Sequence, residues 1–124
     1  YIDGIFLNTY FADGLIVSTP EYAHGVPGTL KNALDWLVGT DALIEKPFAL
    51  LHASDRSTHA PRSLIEILTT MSGLHVAKAD VTIDLRRNDQ EADAILLDES
   101  NHAKIQASLA ILSQFILGRG SMRA

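Results

Sequence analysis

The side chains of this 124-residue chain with the most obvious chemical capacity are its five histidines and a Ser-Asp pair. Ser54-Asp55 lies between His52 and His59, which together offer the residue types of a nucleophile, a base and an orienting carboxylate. No Gly-x-Ser-x-Gly turn accompanies them, so hydrolase chemistry is not expected. His52, His59, His75 and His102 are scattered, with no Asp or Glu at ligand spacing, and no metal site is expected from them. His24 reads most simply as a solvated loop residue. There is no cysteine, which excludes thiolate chemistry and a disulfide framework. What remains is a backbone feature. The stretch from Ser18 through Pro20-Glu21-Tyr22-Ala23-His24-Gly25 to Trp36 passes from an apolar strand, through a Pro/Gly loop, into an amphipathic helix. An open α/β sheet binds its ligands at such a place, outside the carboxyl ends of its strands.

The flanking elements must position that loop. Gly14 to Ser18 and Pro47 to Ala53 are near-continuous apolar runs, the pattern of parallel strands buried on both faces. Ile2 to Leu7 is a further short apolar run and is expected to be a strand. Pro27 suits the start of a helix, along which Leu30, Ala33, Leu34 and Leu37 recur at helical spacing. Ser63 to Met71 carries a second helical stripe. His75-Val76-Ala77 and Val81 to Leu85 predict a strand with a bend between its halves. Arg86 to Glu99 predicts an acidic loop with a turn of helix. Ser100 or Asn101 is expected to cap a last helix, reaching about Leu117, with Ile105, Leu109, Leu112 and Ile116 on its buried face and Gly118 to Ser121 as a frayed tail. Strands alternating with helices predict an α/β fold with a parallel sheet and right-handed crossovers.

The length suits one domain spanning residues 1–124. Hydrophobic residues at 47% and charged residues at 20% are compatible with a packed core. The net charge of −5 argues against a nucleic-acid partner, which would need a basic face. No apolar run approaches the roughly 20 residues of a membrane span, so no membrane association is expected. The absence of cysteine is compatible with a cytoplasmic setting.

Ser18-Thr19-Pro20-Glu21-Tyr22, then Gly25-Val26-Pro27-Gly28 and Leu30-Lys31-Asn32-Ala33-Leu34-Asp35-Trp36, resembles the signature loop of the NADPH-dependent FMN reductases. These flavodoxin-like enzymes include quinone, chromate and azo-dye reductases. Lys46-Pro47, the strand after it, and Ala53-Ser54 are similar to the family's next strand and second flavin-contacting loop. The resemblance covers about Ala12 to Leu85. It implies a flavodoxin-like three-layer sandwich that holds FMN and takes hydride from NADPH or NADH. The expected acceptor is a quinone, azo compound, metal oxyanion or flavin. The alternatives are a flavin-binding electron carrier and a truncated, flavin-free domain. By the same resemblance Pro20, Glu21, Tyr22, Ala23, His24 and Gly25 border the isoalloxazine, mainly through backbone groups, and Ser54, Asp55 and Arg56 line its other side. Many relatives have Asn where Ala23 stands, and Pro or Gly after the serine where this chain has Asp55 and Arg56. No residue is expected to act as acid, base or nucleophile, because the flavin carries the chemistry. Tyr22 is a candidate for stacking on nicotinamide or for a dimer contact. Trp36 is expected in the core or in the interface of a homodimer or homotetramer. Arg86-Arg87 reads as a solvated strand end rather than as a phosphate contact.

Such a fold has strand order 2-1-3-4-5, with FMN at the switch point between strands 1 and 3. Gly14 to Ser18 then corresponds to strand 3. The Gly-Ser-x-Arg-like phosphate loop that follows strand 1 in the family does not occur in this sequence. N-terminal strand–helix units are therefore expected to be missing from the chain. If Ile2 to Leu7 is a strand, its link to Gly14 is shorter than the dozen residues of a parallel crossover, so residues are expected to be lost between about Asn8 and Ala12.

Overall fold

A computed structural model describes residues 2–53, 56–83, 85 and 91–123. The chain begins with helix α1 (Ile2–Phe11), where a strand was expected, and turns directly into strand β1 (Leu15–Ser18). A six-residue apolar run does not distinguish helix from buried strand. Tertiary packing decides for helix here: Ile5 and Phe6, adjacent on one helical face, pack against the core while Leu7 and Phe11 stay exposed. The ground for expecting lost residues between Asn8 and Ala12 disappears with the strand. A helix needs only a short link to the next strand, and the Ala12 N–H donates to the Asn8 carbonyl at 3.1 Å. Lys46 anchors the end of this helix by donating to the carbonyls of Tyr10 and Ala12.

Helix α2 (Gly28–Leu37), strand β2 (Pro47–His52) and helix α3 (His59–Thr70) follow, close to expectation. β1 pairs with β2 in parallel, Leu15 opposite Phe48 through Ser18 opposite Leu51. The expected bent strand is two short pieces, β3 (Leu74–His75) and β4 (Val81–Thr82), joined by a 3-10 turn at Ala77–Ala79. Both pair with β2 in parallel, β3 at its start and β4 at its end. The break strands the N–H of Leu50 in mid-sheet, and the Asp80 carboxylate accepts it at 2.8 Å. The other oxygen of Asp80 lies 2.8 Å from His75 Nε2, and the His75 ring stacks on Phe48 at 5.1 Å. Asp80→Ala should therefore cost about 1–2 kcal/mol in urea unfolding, because it leaves a sheet N–H unpaired. Asp80→Asn, which keeps an acceptor, should recover most of that. Equal losses in the two variants would refute this role.

Side chains alternate across β2. Phe48 and Leu50 point into a core with Leu34 and Leu37 of α2 and Leu64 and Leu68 of α3. Ala49 faces the other way, toward Val76, Ala79 and Leu112. Leu112 belongs to the last helix, α5 (Glu99–Arg123), preceded by a short helix α4 (Ala92–Leu97) where a turn was expected. The sheet thus lies between α1, α2 and α3 on one face and α5 on the other, a three-layer sandwich. Asp98, rather than Ser100 or Asn101, caps α5, its carboxylate accepting the Asn101 N–H at 2.9 Å. The buried seam of α5 also differs from expectation. Leu109 is exposed, and Ser108 is buried in its stead because its hydroxyl donates to the Ala79 carbonyl. The expected frayed tail at Gly118 to Ser121 is helical. No helix among the described residues is long and apolar enough to cross a membrane.

Candidate functional site

β1 and β2 are parallel, so the loops after Ser18 and after His52 leave the same edge of the sheet. The first of them is a tight hairpin. Tyr22 and Gly25 exchange both backbone hydrogen bonds, at 3.1 and 2.9 Å, across the two central residues Ala23 and His24. Both central residues have positive φ, 48° and 60°. That is the geometry of a type I′ turn, which Asn-Gly favours and which strains most L-residues. No described partner takes the backbone N–H of Ala23 or of His24. Replacing Ala23 with Asn should relieve the strain and raise Tm by about 2–5 °C. A thermal melt with Tm unchanged or lowered would contradict the left-handed assignment.

The hairpin is tied to the second loop by Glu21. Its Oε2 accepts the backbone N–H groups of both His59 and Ala60, each at 3.0 Å, at the first turn of α3. Thr58 makes no side-chain cap there, and the first turn carries no acidic residue. A carboxylate from 38 residues earlier thus does the work of the cap, at the end of the helix where the macrodipole favours negative charge. The His24 ring stacks on that of His59 at 4.2 Å and 12°. Two distant segments become one surface by these contacts.

The structure places the expected site residues unevenly. Pro20, Tyr22, Ala23 and His24 are exposed on the hairpin, and Glu21 and Gly25 are half-buried. Pro27 is buried and precedes α2 as its cap residue. A Cβ at Gly25 would meet nothing nearer than the Tyr22 carbonyl at 3.7 Å, and Gly25 does not have positive φ. The fold of the chain therefore imposes no need for glycine at that position. Arg56 lies in an exposed turn leading to α3. Ser54 and Asp55 lie outside the described residues, as do Arg86 and Arg87. Trp36 is 58% exposed and is not part of the core. His59 was expected to stand alone, and it is instead brought against His24 and Glu21. The Glu21-x-x-His24 spacing was a local sign of half of that group.

A family model described as NADPH-dependent FMN reductase matches residues 11–88. Over 110 residues the chain is 33% identical to an NAD(P)H-dependent FMN reductase of Pseudomonas aeruginosa, covering 85% of this chain and 60% of that one. A quinone reductase of Escherichia coli is 65% identical over 26 residues, 21% of this chain and 14% of that one. Among solved structures, a flavoenzyme NAD(P)H:(acceptor) oxidoreductase of Paracoccus denitrificans superposes with a TM-score of 0.74 at 23% identity, covering 90% of this chain and 65% of that one. That likeness establishes the flavodoxin-like α/β fold. The chain spans less than two-thirds of the length of any of these three proteins.

Proposed function

Because the chain belongs to the NADPH-dependent FMN reductase family, we propose that its hairpin and the adjoining start of α3 form the isoalloxazine-facing part of an FMN site in an NAD(P)H oxidoreductase. The observation that carries this reading is the hairpin itself: a strained turn, held against α3 by Glu21, with no partner among the described residues for the N–H groups of Ala23 and His24. A flavin ring is flat and largely apolar, with a polar pyrimidine edge, and fixed backbone donors suit that edge. The open space at Gly25 would allow close approach. A bound FMN would supply the redox chemistry, receiving a hydride from a nicotinamide and passing electrons to an acceptor. The chain's own contribution is to hold the ring in place, shield one side of it and bias its electronics through hydrogen bonds. No side chain is assigned a proton-transfer role.

A small-molecule acceptor of the quinone type is supported by the similarity to a quinone reductase. The proposed partner is a second copy of the chain, for which Tyr22 on the loop, at 64% exposure, and Trp36 at the far end of α2, at 58%, offer apolar surface. The flavin reading is tested by titrating FMN into the protein. Quenching of flavin fluorescence together with a rise in Tm is the expected result, since binding to the native state alone stabilises it. Neither change at saturating FMN would overturn the reading.

A further inference from the structure

We propose that Glu21, His24 and His59 form a binding site for a divalent transition-metal ion of the zinc class. Each residue offers one ligand atom, and these atoms all lie within 4.8 Å of one another; this is the one such group of three among the described residues. Two imidazoles and a carboxylate are a donor set suited to zinc, copper or nickel, and three protein ligands leave a fourth position for water or a small ligand.

Stacking of the two rings would by itself account for their contact. The Glu21 carboxylate oxygen within 4.8 Å of a nitrogen of each ring is what favours a cation. The group is also held in place from behind. Glu21 Oε2 is fixed by the two N–H groups of α3, which orients the carboxylate as outer-shell hydrogen bonds orient ligands in known metal sites. The His24 backbone is held in the left-handed region, φ 60°, in a two-residue turn closed by the Tyr22–Gly25 hydrogen bonds. His59 is in the first turn of α3. Bonds of about 2.0–2.2 Å in a tetrahedral zinc site put neighbouring ligand atoms about 3.3–3.6 Å apart. The cluster therefore needs to draw in by at most about 1.2–1.5 Å, with the two exposed imidazoles turning out of their stack about their side-chain bonds so that one nitrogen of each faces the ion. His24 and His59 are exposed, so a metal ion can reach the group from solvent.

Several features set the strength. The positive end of α3 opposes a cation, and the Glu21 carboxylate offsets it. Arg62 lies on the same open depression as both histidines, as does Glu66, so the wider surface is close to neutral. These features predict micromolar binding rather than the far tighter binding of a closed structural site. The proposal is independent of the flavin reading, because it requires only the three side chains and is tested without flavin.

The test is calorimetric titration of flavin-free protein with Zn2+ in a non-coordinating buffer, with thermal melts alongside. One equivalent should bind with micromolar Kd and raise Tm. His24→Asn tolerates the left-handed turn and His59→Gln lies on the surface, so both should fold, as far-UV circular dichroism will show. Each should weaken binding at least about tenfold. His102→Asn, on α5 away from the group, should bind as the parent does. No heat or thermal shift at ~100 µM Zn2+, undiminished binding in both site variants, or an equal loss in His102→Asn would each overturn the proposal.

Discussion

Replacing Glu21 with alanine should lower FMN affinity by about tenfold or more, a loss of roughly 1.4 kcal/mol, and should reduce folding stability as well. The residue is expected to act through the backbone it holds. Its carboxylate accepts two N–H groups at the start of α3, and hydrogen bonds to a charged group contribute about 1.5–3 kcal/mol when well shielded. Glu21 is only half-buried, so solvent screening lowers the expected stability loss to about 1–2 kcal/mol. Without the link, the hairpin is no longer registered against α3, and the Ala23 and His24 N–H groups proposed to meet the ring lose their fixed positions. Glu21→Gln keeps a carbonyl acceptor but loses the charge, and it should fall between the parent and the alanine variant. Fluorescence titration for FMN and urea unfolding for stability report the two effects separately. An alanine variant that binds FMN as the parent does would show that the tether has no part in the site.

Phe48→Ala should produce the largest stability loss, about 3–5 kcal/mol. Phe48 is fully buried near the start of β2, stacks on His75 and fills the space that Gly73 leaves open. A Cβ added at Gly73 would come within 3.2 Å of the Phe48 ring and 2.9 Å of the Leu68 carbonyl, so the site has no slack on that side. Small domains have only about 5–15 kcal/mol in total, so the variant should melt many degrees lower and unfold at much less urea. Trp36→Ala is the contrast. At 58% exposure, Trp36 should contribute within about 0.5 kcal/mol to the isolated chain. A loss at Trp36 matching that at Phe48 would mean that Trp36 is covered by a partner.

The parts of this fold that are legible in the residues are those whose pattern has one solution. β1 and β2 are continuous apolar runs between turn signals, and both are strands. β2 is buried on both faces over Pro47 to Leu50, as such runs predict. β1, expected to be buried likewise, alternates half-buried and exposed residues, with Ile16 exposed, because none of the described helices covers that side of it. α2 and α3 carry stripes at helical spacing. The Pro/Gly loop between β1 and α2 follows from its neighbours. Three features are decided elsewhere. Ile2 to Leu7 fits either strand or helix, and only packing of Ile5 and Phe6 against the core selects helix. Leu109 yields its place on the α5 seam to Ser108 because a carbonyl on the neighbouring turn satisfies the hydroxyl. Glu21 caps a helix that begins 38 residues later, a relation that no local window contains.

The same limit applies to the candidate site. The strained turn at Ala23-His24 is half visible in sequence, since Gly25 and the flanking prolines mark a loop, but the left-handed backbone at Ala23 and His24 is not. Alanine and histidine do not announce a type I′ turn as Asn-Gly does. The pairing of His24 with His59 depends entirely on the two loops leaving one edge of a parallel sheet.

The central claim is that this hairpin presents FMN to a nicotinamide. Its most direct test is anaerobic mixing of the FMN-loaded protein with NADPH, and separately with NADH, while the visible flavin absorbance is followed. Rapid bleaching with at least one of the two, reversed on adding a quinone, is the predicted result. Absorbance that stays constant with both nucleotides would contradict the account and leave a flavin-binding carrier in its place.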